Sequence, residues 1–119
     1  MKTWLNGSLL QSPDEPAISA LDHGIIVGDG VFETVKVELN QPFALTRHLD
    51  RLVRSAEGLG IGTPDVGAIR EGIAATLEGQ DLEFGRIRVT VTSGRGPLGS
   101  PRGHHGLTTV VIAEPSEKP

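Results

Sequence analysis

The chain has 119 residues, a formal net charge of −4 at pH 7, 16 glycines, eight prolines and no cysteine. This length provides enough buried surface for one hydrophobic core, so we expect a single domain. The lack of cysteine excludes disulfides and cysteine-based zinc sites and favours the cytoplasm. The acidic balance argues against nucleic-acid binding. We find no run of about twenty apolar residues and no signal-peptide core, which predicts no membrane association.

An alternating stretch that ends at Leu39 is the first clear element. Its apolar face holds Val31, Val35, Val37 and Leu39, and its other face holds Phe32, Thr34, Lys36 and Glu38. Alternation of this kind predicts a half-buried strand. The turn-forming residues 40–42 follow, and then residues 43–45, so the stretch predicts a β-hairpin.

Two amphipathic helices are predicted after the hairpin. The apolar stripe of the first helix consists of Leu45, Leu49, Leu52, Val53, Ala56 and Leu59. Thr46 is the expected N-cap and Gly60 the expected C-terminal glycine of this helix. The second helix is expected to begin at Thr63-Pro64 and to run to Gly79. Its apolar residues are Val66, Ile69, Ile73 and Leu77.

Two strands are predicted in the last third of the chain. Residues 86–92 alternate strictly and predict a half-buried strand, and residues 107–113 predict a more fully buried one. Residues 114–119 have the composition of a linker. Strands, two helices and further strands together predict an α+β domain over residues 1–113. We expect a largely antiparallel sheet with two helices packed on one face.

The segment from Asp22 to Glu33 is punctuated by glycines, which allow a sharp turn or a close approach to a ligand. Asp29 could cap backbone amides in this turn or serve as a functional carboxylate. His23 could act as a general base. A histidine beside an aspartate is more often part of a hydrogen-bonded structural pair, and the pattern favours that interpretation.

Arg51 is the helix arginine that lies nearest the edge of the apolar stripe. An arginine held there can fork two hydrogen bonds onto a phosphate or a carboxylate. The alternative is a solvated side chain paired with Asp50 or Ser55. The pattern alone favours this alternative.

The loop of residues 93–106 is long for a connection between two strands, and such loops are usually functional or mobile. Arg102 and His104 could together hold a substrate carboxylate, and a disordered glycine loop is the alternative. His104 and His105 lack carboxylate or cysteine companions, so no metal site is expected. The chain also lacks a Walker sequence and a serine nucleophile elbow.

Five segments, in their order and spacing, resemble the N-terminal half of fold type IV pyridoxal-phosphate enzymes. The segments are WLNG (4–7), LDHG (21–24), GDGVFET (28–34), HLDRL with SA (48–52, 55–56) and RVTVTSG (88–94). This family, the class IV aminotransferases, includes branched-chain and D-amino acid aminotransferases and aminodeoxychorismate lyase. The resemblance implies the smaller domain of a two-domain subunit, with the cofactor between the domains and the active site completed in a homodimer.

The resemblance also implies roles for five residues. Arg51 matches the arginine that binds the phosphate of pyridoxal 5′-phosphate. For Arg51, the resemblance therefore favours phosphate binding over a solvated pairing with Asp50 or Ser55. Phe32 and Thr34 lie on the face that the family turns toward cofactor and substrate. Arg102 and His104 are similar to the pair that holds the substrate carboxylate in D-amino acid aminotransferases.

The substrate implied by the resemblance depends on two further features. Phe32 stands where D-amino acid aminotransferases have a tyrosine, and the loop here is longer. The loop of residues 94–100 is more similar to aminodeoxychorismate lyases, which convert 4-amino-4-deoxychorismate to p-aminobenzoate and pyruvate. Lyase activity on this small-molecule amino substrate is therefore the first expectation, and D-amino acid or branched-chain amino transfer is the alternative.

Chemistry of this class needs a lysine that forms a Schiff base with the cofactor. The only lysines are Lys2, Lys36 and Lys118, and none matches the family lysine, which the larger domain supplies. We therefore assign no catalytic residue to this chain and expect it to be inactive alone. The competing hypothesis is a non-catalytic binding or dimerisation module with the same fold.

Overall fold

The computed structural model describes residues 1–119 as one antiparallel sheet with three helices. The strands are β1 (Lys2–Leu5), β2 (Ser8–Leu9), β3 (Gly30–Glu38), β4 (Gln41–Pro42), β5 (Phe84–Thr92) and β6 (Thr108–Pro115). The helices are α1 (His23–Ile26), α2 (Leu45–Leu59) and α3 (Val66–Leu77). None of the helices combines the length and the apolar character needed to cross a bilayer.

The strand order in the sheet is β2-β1-β6-β5-β3-β4, and every neighbouring pair is antiparallel. The nine residues of β3 pair with all nine of β5, from Gly30 opposite Thr92 to Glu38 opposite Phe84. At its other edge β3 pairs only through Val37 and Glu38, with β4. The predicted α+β class with an antiparallel sheet is confirmed, and most of one edge of β3 is left without a neighbouring strand.

The hydrophobic core lies between one face of the sheet and the two longer helices. Helix α2 packs behind β3, and α3 packs behind β1 and β6. Burial of each large apolar side chain contributes about 1.5–3 kcal/mol to folding. The fully buried apolar residues include Val35, Val37, Leu52, Ala56, Ile69, Ile87, Val89, Val91, Val111 and Ala113.

A hairpin forms as predicted, but its second strand is β4 at residues 41–42 rather than residues 43–45, and its two turn residues are Leu39 and Asn40. Both have positive φ, 49° and 60°. Such two-residue turns match the right-handed twist of the strands that they join. The prediction that Leu39 shares the apolar face is wrong: the strand ends at Glu38, and the turn leaves the Leu39 side chain 72% exposed.

The start of α2 differs from the prediction. The N-cap is Ala44, in a left-handed conformation with no side-chain hydrogen bond, because the helix follows directly on the hairpin. Thr46 lies inside the helix, where its hydroxyl accepts a 2.9 Å hydrogen bond from Arg70 of α3. Gly60 ends the helix as predicted, with φ 82° and its N–H donating to Ala56 O and Glu57 O.

Helix α3 begins two residues after the predicted Thr63-Pro64 start. Asp65 is its N-cap and accepts a 3.0 Å hydrogen bond from the Ala68 N–H, which satisfies one free donor of the first turn. At the other end of the domain, β6 continues to Pro115, opposite Gly85, into the stretch with linker composition. Pairing with β5 keeps residues 114 and 115 in the strand conformation.

Candidate functional site

Glu33 is a buried acid on the core face of β3. Its residue is 6% exposed, and along the sheet it shares a row with Val89 and Val111. A carboxylate in this position requires hydrogen-bonding partners, because an unpaired buried charge is strongly unfavourable. The partners come from helix α2, which packs on this face of β3.

Two side chains of α2 bind this carboxylate. His48 and Arg51, three residues apart, lie on the same helix face. The Arg51 Nε–H donates to Glu33 Oε1 and Oε2 at 3.1 and 2.9 Å, and Nη2 donates to Oε1 at 2.7 Å. His48 Nδ1 lies 2.7 Å from Oε1. Because a carboxylate only accepts, Nδ1 of this imidazole carries the hydrogen.

The charge on Glu33 is maintained by these contacts. Burial raises the pKa of its carboxyl group, but the hydrogen bonds and charges of Arg51 and His48 outweigh burial and leave the pKa below its ordinary value. The pKa of Arg51 is raised by the same hydrogen bond and charge. Both groups are therefore ionised at neutral pH, and the arginine is held by a fixed anion.

Arg51 retains donors for a ligand. Its side chain is 60% exposed, and no group of the chain accepts a hydrogen bond from Nη1. The guanidinium borders a cavity of about 360 Å³ whose lining residues are Ala44, Arg47, His48, Asp50, Arg51 and Arg54. Three arginines around one opening suit an anion of the size and charge of a phosphate group.

Phe32 and Thr34 lie on the opposite face of β3, the sheet face away from α2 and α3. Phe32 is 55% exposed. Along the sheet, Thr34 is opposite Arg88 of β5, and the guanidinium carbon of Arg88 lies 3.6 Å from the centre of the Phe32 ring. A cation over an aromatic face is attracted by the ring quadrupole. This open face therefore combines an aromatic ring, a hydroxyl and a guanidinium.

Arg102 is committed to contacts within the chain. Its Nε and Nη2 donate to the two Asp29 carboxylate oxygens at 2.8 and 3.1 Å. Nη1 and Nη2 also donate to Gly60 O and Leu59 O, at 3.1 and 2.9 Å, at the C-terminus of α2. A cation at these carbonyls is favourable because they are the negative end of the helix. Arg102 therefore fastens the 93–107 loop to α2.

His104 does not contribute to the contacts that Arg102 makes. It is exposed and makes no hydrogen bond, and the Arg102 guanidinium lies against Asp29 rather than beside it. Asp29 does not cap backbone amides through its side chain. The hydrogen bond from Arg102 is the main reason why the pKa of the Asp29 carboxyl group is lowered. The suggested carboxylate trap of Arg102 and His104 stays a prediction.

Asp22 and His23 support the base of the same loop. Asp22 is 1% exposed and accepts hydrogen bonds from Gly24 N, Thr92 Oγ1 and Thr108 Oγ1, at 2.8, 2.7 and 2.6 Å. Thr92 ends β5 and Thr108 begins β6, so one carboxylate joins both ends of the loop. The fully buried His23 contacts Pro97 O through Nε2 at 2.7 Å and makes no side-chain bond to Asp22. The structural interpretation of His23 fits these contacts, with partners in the loop.

The contacts of three participants were not predicted from the sequence. The role of Asp29 requires a contact across 73 residues, which no local pattern reveals. Arg88 was noted in the RVTVTSG segment and in a cluster with Arg86, Arg95 and Arg102 that could bind a small anion, but neither pattern predicts its contact with Phe32. Glu33 had a usable signal: its odd number places it on the same face as Val31 and Val35, and a charged residue in a core row indicates a buried partner.

The family model described as amino-transferase class IV matches residues 30–119. A provisionally named branched-chain-amino-acid aminotransferase from Methanocaldococcus jannaschii is 38% identical over 97% of this chain and 40% of its own length. A D-alanine aminotransferase from Staphylococcus aureus is 32% identical over 78% of the chain and 33% of its own length. Aminodeoxychorismate lyase from Bacillus subtilis is 33% identical over 76% of the chain and 32% of its own length.

The fold also matches solved structures. A hypothetical aminotransferase from Mycobacterium tuberculosis, in its PLP-bound form, superposes with a TM-score of 0.83 and 27% identity, over 97% of this chain and 39% of that one. The chain thus spans about 40% or less of the length of the proteins that it matches. With the family model covering three quarters of its residues, the chain belongs to the class IV aminotransferases.

Proposed function

We propose that this chain supplies the cofactor-phosphate subsite and one wall of the substrate site in an enzyme that uses pyridoxal 5′-phosphate to act on an amino acid. The observation that carries the proposal is Arg51, whose guanidinium is held by Glu33 while Nη1 is left for a ligand beside a basic cavity. The class IV aminotransferase family uses this cofactor. Once bound, its ring withdraws electrons from the α-carbon of the substrate.

The residues of the chain divide between two tasks. Arg51 donates to the phosphate, and Arg47 and Arg54 add positive charge around it. Phe32 and Thr34 form part of the surface against which the substrate lies. The chain offers no lysine in this cavity, so we propose that the proton-transferring lysine comes from outside these residues and that the chain alone is inactive.

Amino transfer to a 2-oxo acid is our first candidate for the reaction, in place of the lyase activity that the sequence motifs favoured. The Methanocaldococcus relative carries that assignment and matches 97% of the chain, more than the lyase relative does. Arg88 provides a guanidinium for a substrate carboxylate beside Phe32 and Thr34. Arg102 is already bonded to Asp29, which weakens the case for a D-amino acid carboxylate trap.

Aminodeoxychorismate lyase activity is the second candidate, because the Bacillus subtilis lyase is 33% identical over 76% of the chain. The two candidates are separated by assays of the full-length protein. One assay follows amino transfer from L- and D-amino acids to 2-oxoglutarate. The other supplies 4-amino-4-deoxychorismate and follows p-aminobenzoate and pyruvate. Release of both products without amino transfer would overturn our first candidate.

Cofactor binding is tested by Arg51→Ala and its matched control Arg54→Ala. Both side chains line the cavity, but only Arg51 is bound by Glu33. We expect Arg51→Ala to weaken cofactor binding by the full-length protein about 10- to 100-fold, the loss that follows from removing charge-assisted hydrogen bonds to a phosphate. Arg54→Ala should lose much less. Equal retention in the two variants would assign Arg51 to a structural role.

The wild-type protein provides the test against a non-catalytic module. Borohydride should trap the cofactor on a single lysine of the full-length protein, outside residues 1–119. Failure to trap it, together with no cofactor absorbance, would support the module hypothesis instead. We also propose a homodimer, which light scattering of the full-length protein checks; a monomeric active enzyme would refute that part.

A further inference from the structure

We propose that Glu33 is the positioning residue that selects for the phosphate of the cofactor, by holding the Arg51 guanidinium in one orientation. This inference rests on the proposed function of Arg51. Glu33 is buried, and both of its carboxylate oxygens accept hydrogen bonds from Arg51. The donors are Nε and Nη2 of the same guanidinium group, so these bonds fix the orientation of its plane.

The anchor of this arrangement is rigid. Glu33 lies in the middle of the nine-residue pairing between β3 and β5, and its carboxylate also accepts a hydrogen bond from His48. Arg51, by contrast, is a long side chain with 60% exposure. Without the carboxylate, it would be free to sample many rotamers in solvent, while the strand would remain in place.

Position in the strand gives Glu33 a second effect. It stands between Phe32 and Thr34 in the sequence, and alternation sends its side chain to the opposite face of the sheet. The Glu33–Arg51 contact therefore ties the phosphate-binding group to the strand segment that forms the substrate wall. The same contact sets the separation between these two parts of the site.

Two opposing effects decide the sign of a Glu33→Gln substitution. Loss of a negative charge should favour phosphate, but solvent around the 60% exposed Arg51 side chain screens this effect. Release of the arginine restores side-chain freedom that phosphate binding must remove again, which weakens binding by about tenfold or more. The second effect is larger, so the substitution should weaken binding of the phosphorylated cofactor by a net factor of about three to ten.

The test compares two ligands that differ in the phosphate, pyridoxal 5′-phosphate and pyridoxal, on the full-length apo-protein. Dissociation constants are measured by absorbance or fluorescence, and their ratio reports selectivity for the phosphate. We expect Glu33→Gln to lower this ratio about three- to tenfold and to change pyridoxal binding less than twofold. Glu38→Gln, an exposed acid on the same strand without side-chain hydrogen bonds, should leave the ratio unchanged.

If Glu33 had only a structural role, its substitution would weaken binding of both ligands to the same extent. That result would overturn the inference. Thermal unfolding monitors folding of each variant, and Glu33→Asp, which keeps the charge on a shorter side chain, replaces Glu33→Gln if the latter does not fold. An unchanged ratio in the folded variant also overturns the inference. Arg51→Gln separates the two proposals: if it lowers the ratio and the Glu33 variant does not, only the positioning role fails. If Arg51→Gln leaves the ratio unchanged, the proposed function of Arg51 fails.

Discussion

Gly72 lies where α3 crosses the Trp4 side chain, and Gly72→Ala tests this packing. A Cβ added at Gly72 would lie 2.6, 2.8 and 3.0 Å from three atoms of the indole ring, much closer than an ordinary carbon contact. Trp4 is 6% exposed and lies between Leu9 of β2 and Val111 of β6 in the sheet, so its ring has little room to move. The new methyl group must therefore push the helix away from the strand.

The expected magnitude follows from two opposing effects. Alanine is about 1 kcal/mol better than glycine in a helix interior. Overpacking a core costs about 1–3 kcal/mol, and contact with three atoms of a rigid ring places Gly72 in the upper part of that range. We expect Gly72→Ala to lower the free energy of unfolding by about 1–2 kcal/mol.

Gly67→Ala, on the same helix, is the matched control. Its added Cβ meets only Asp65 Oδ1, at an ordinary 3.5 Å, so the helix preference should raise stability by up to about 1 kcal/mol. The assay is urea unfolding of the chain, followed by fluorescence of Trp4, its single tryptophan. If Gly72→Ala were as stable as Gly67→Ala, the packing of α3 on Trp4 described above would be refuted.

Three further predictions concern the site. Asp22→Ala leaves one buried and two partly buried donors without their acceptor and should lower the free energy of unfolding by about 3 kcal/mol, measured in urea. A loss below about 1 kcal/mol would contradict the role of Asp22 in joining the two ends of the loop. The pKa of Glu33 is lowered from 4.5 on folding, so its contribution to stability is complete above pH 4.5 and is lost as the pH falls through the lowered value. Between pH 5 and pH 3, the Glu33→Gln variant should lose less free energy of unfolding than the wild type. Equal losses would show that Glu33 does not cause this pH dependence. Gly96→Ala places a Cβ 2.4 Å from His23 Nε2 and should speed tryptic cleavage of the 93–107 loop, whereas Gly99→Ala, with a 3.4 Å contact, should not.

The periodic parts of the fold were predictable because their patterns are local. Alternation identified β3 and β5, the 3.6-residue period identified α2 and α3, and a glycine with positive φ ended α2 as expected. The errors fall at element ends. Thr46 has the right chemistry for a cap, but the hairpin delivers the chain to Ala44, and Thr46 bonds to α3 instead. Cap preferences are weak compared with the geometry of a connecting turn.

The site was predictable only in part. Motif resemblance singled out Arg51, but from the helix pattern its expected partners were Asp50 and Ser55, which are close in sequence. The actual partner, Glu33, is 18 residues away on a strand. Arg102 illustrates the same limit, since its contacts with Asp29 and the end of α2 join residues that are 73 and about 42 apart.

By itself, the sequence determined the fold class, the hairpin, the two amphipathic helices and the family to which the chain belongs, because each depends on patterns within a few residues or on short motifs. Only the tertiary structure decided which charges meet. Packing of α2 behind β3 brings Arg51 to the buried Glu33, and the fold of the 93–107 loop brings Arg102 to Asp29. A charged side chain takes the partner that the fold places within hydrogen-bonding distance, and that partner is set by packing rather than by its neighbours along the chain.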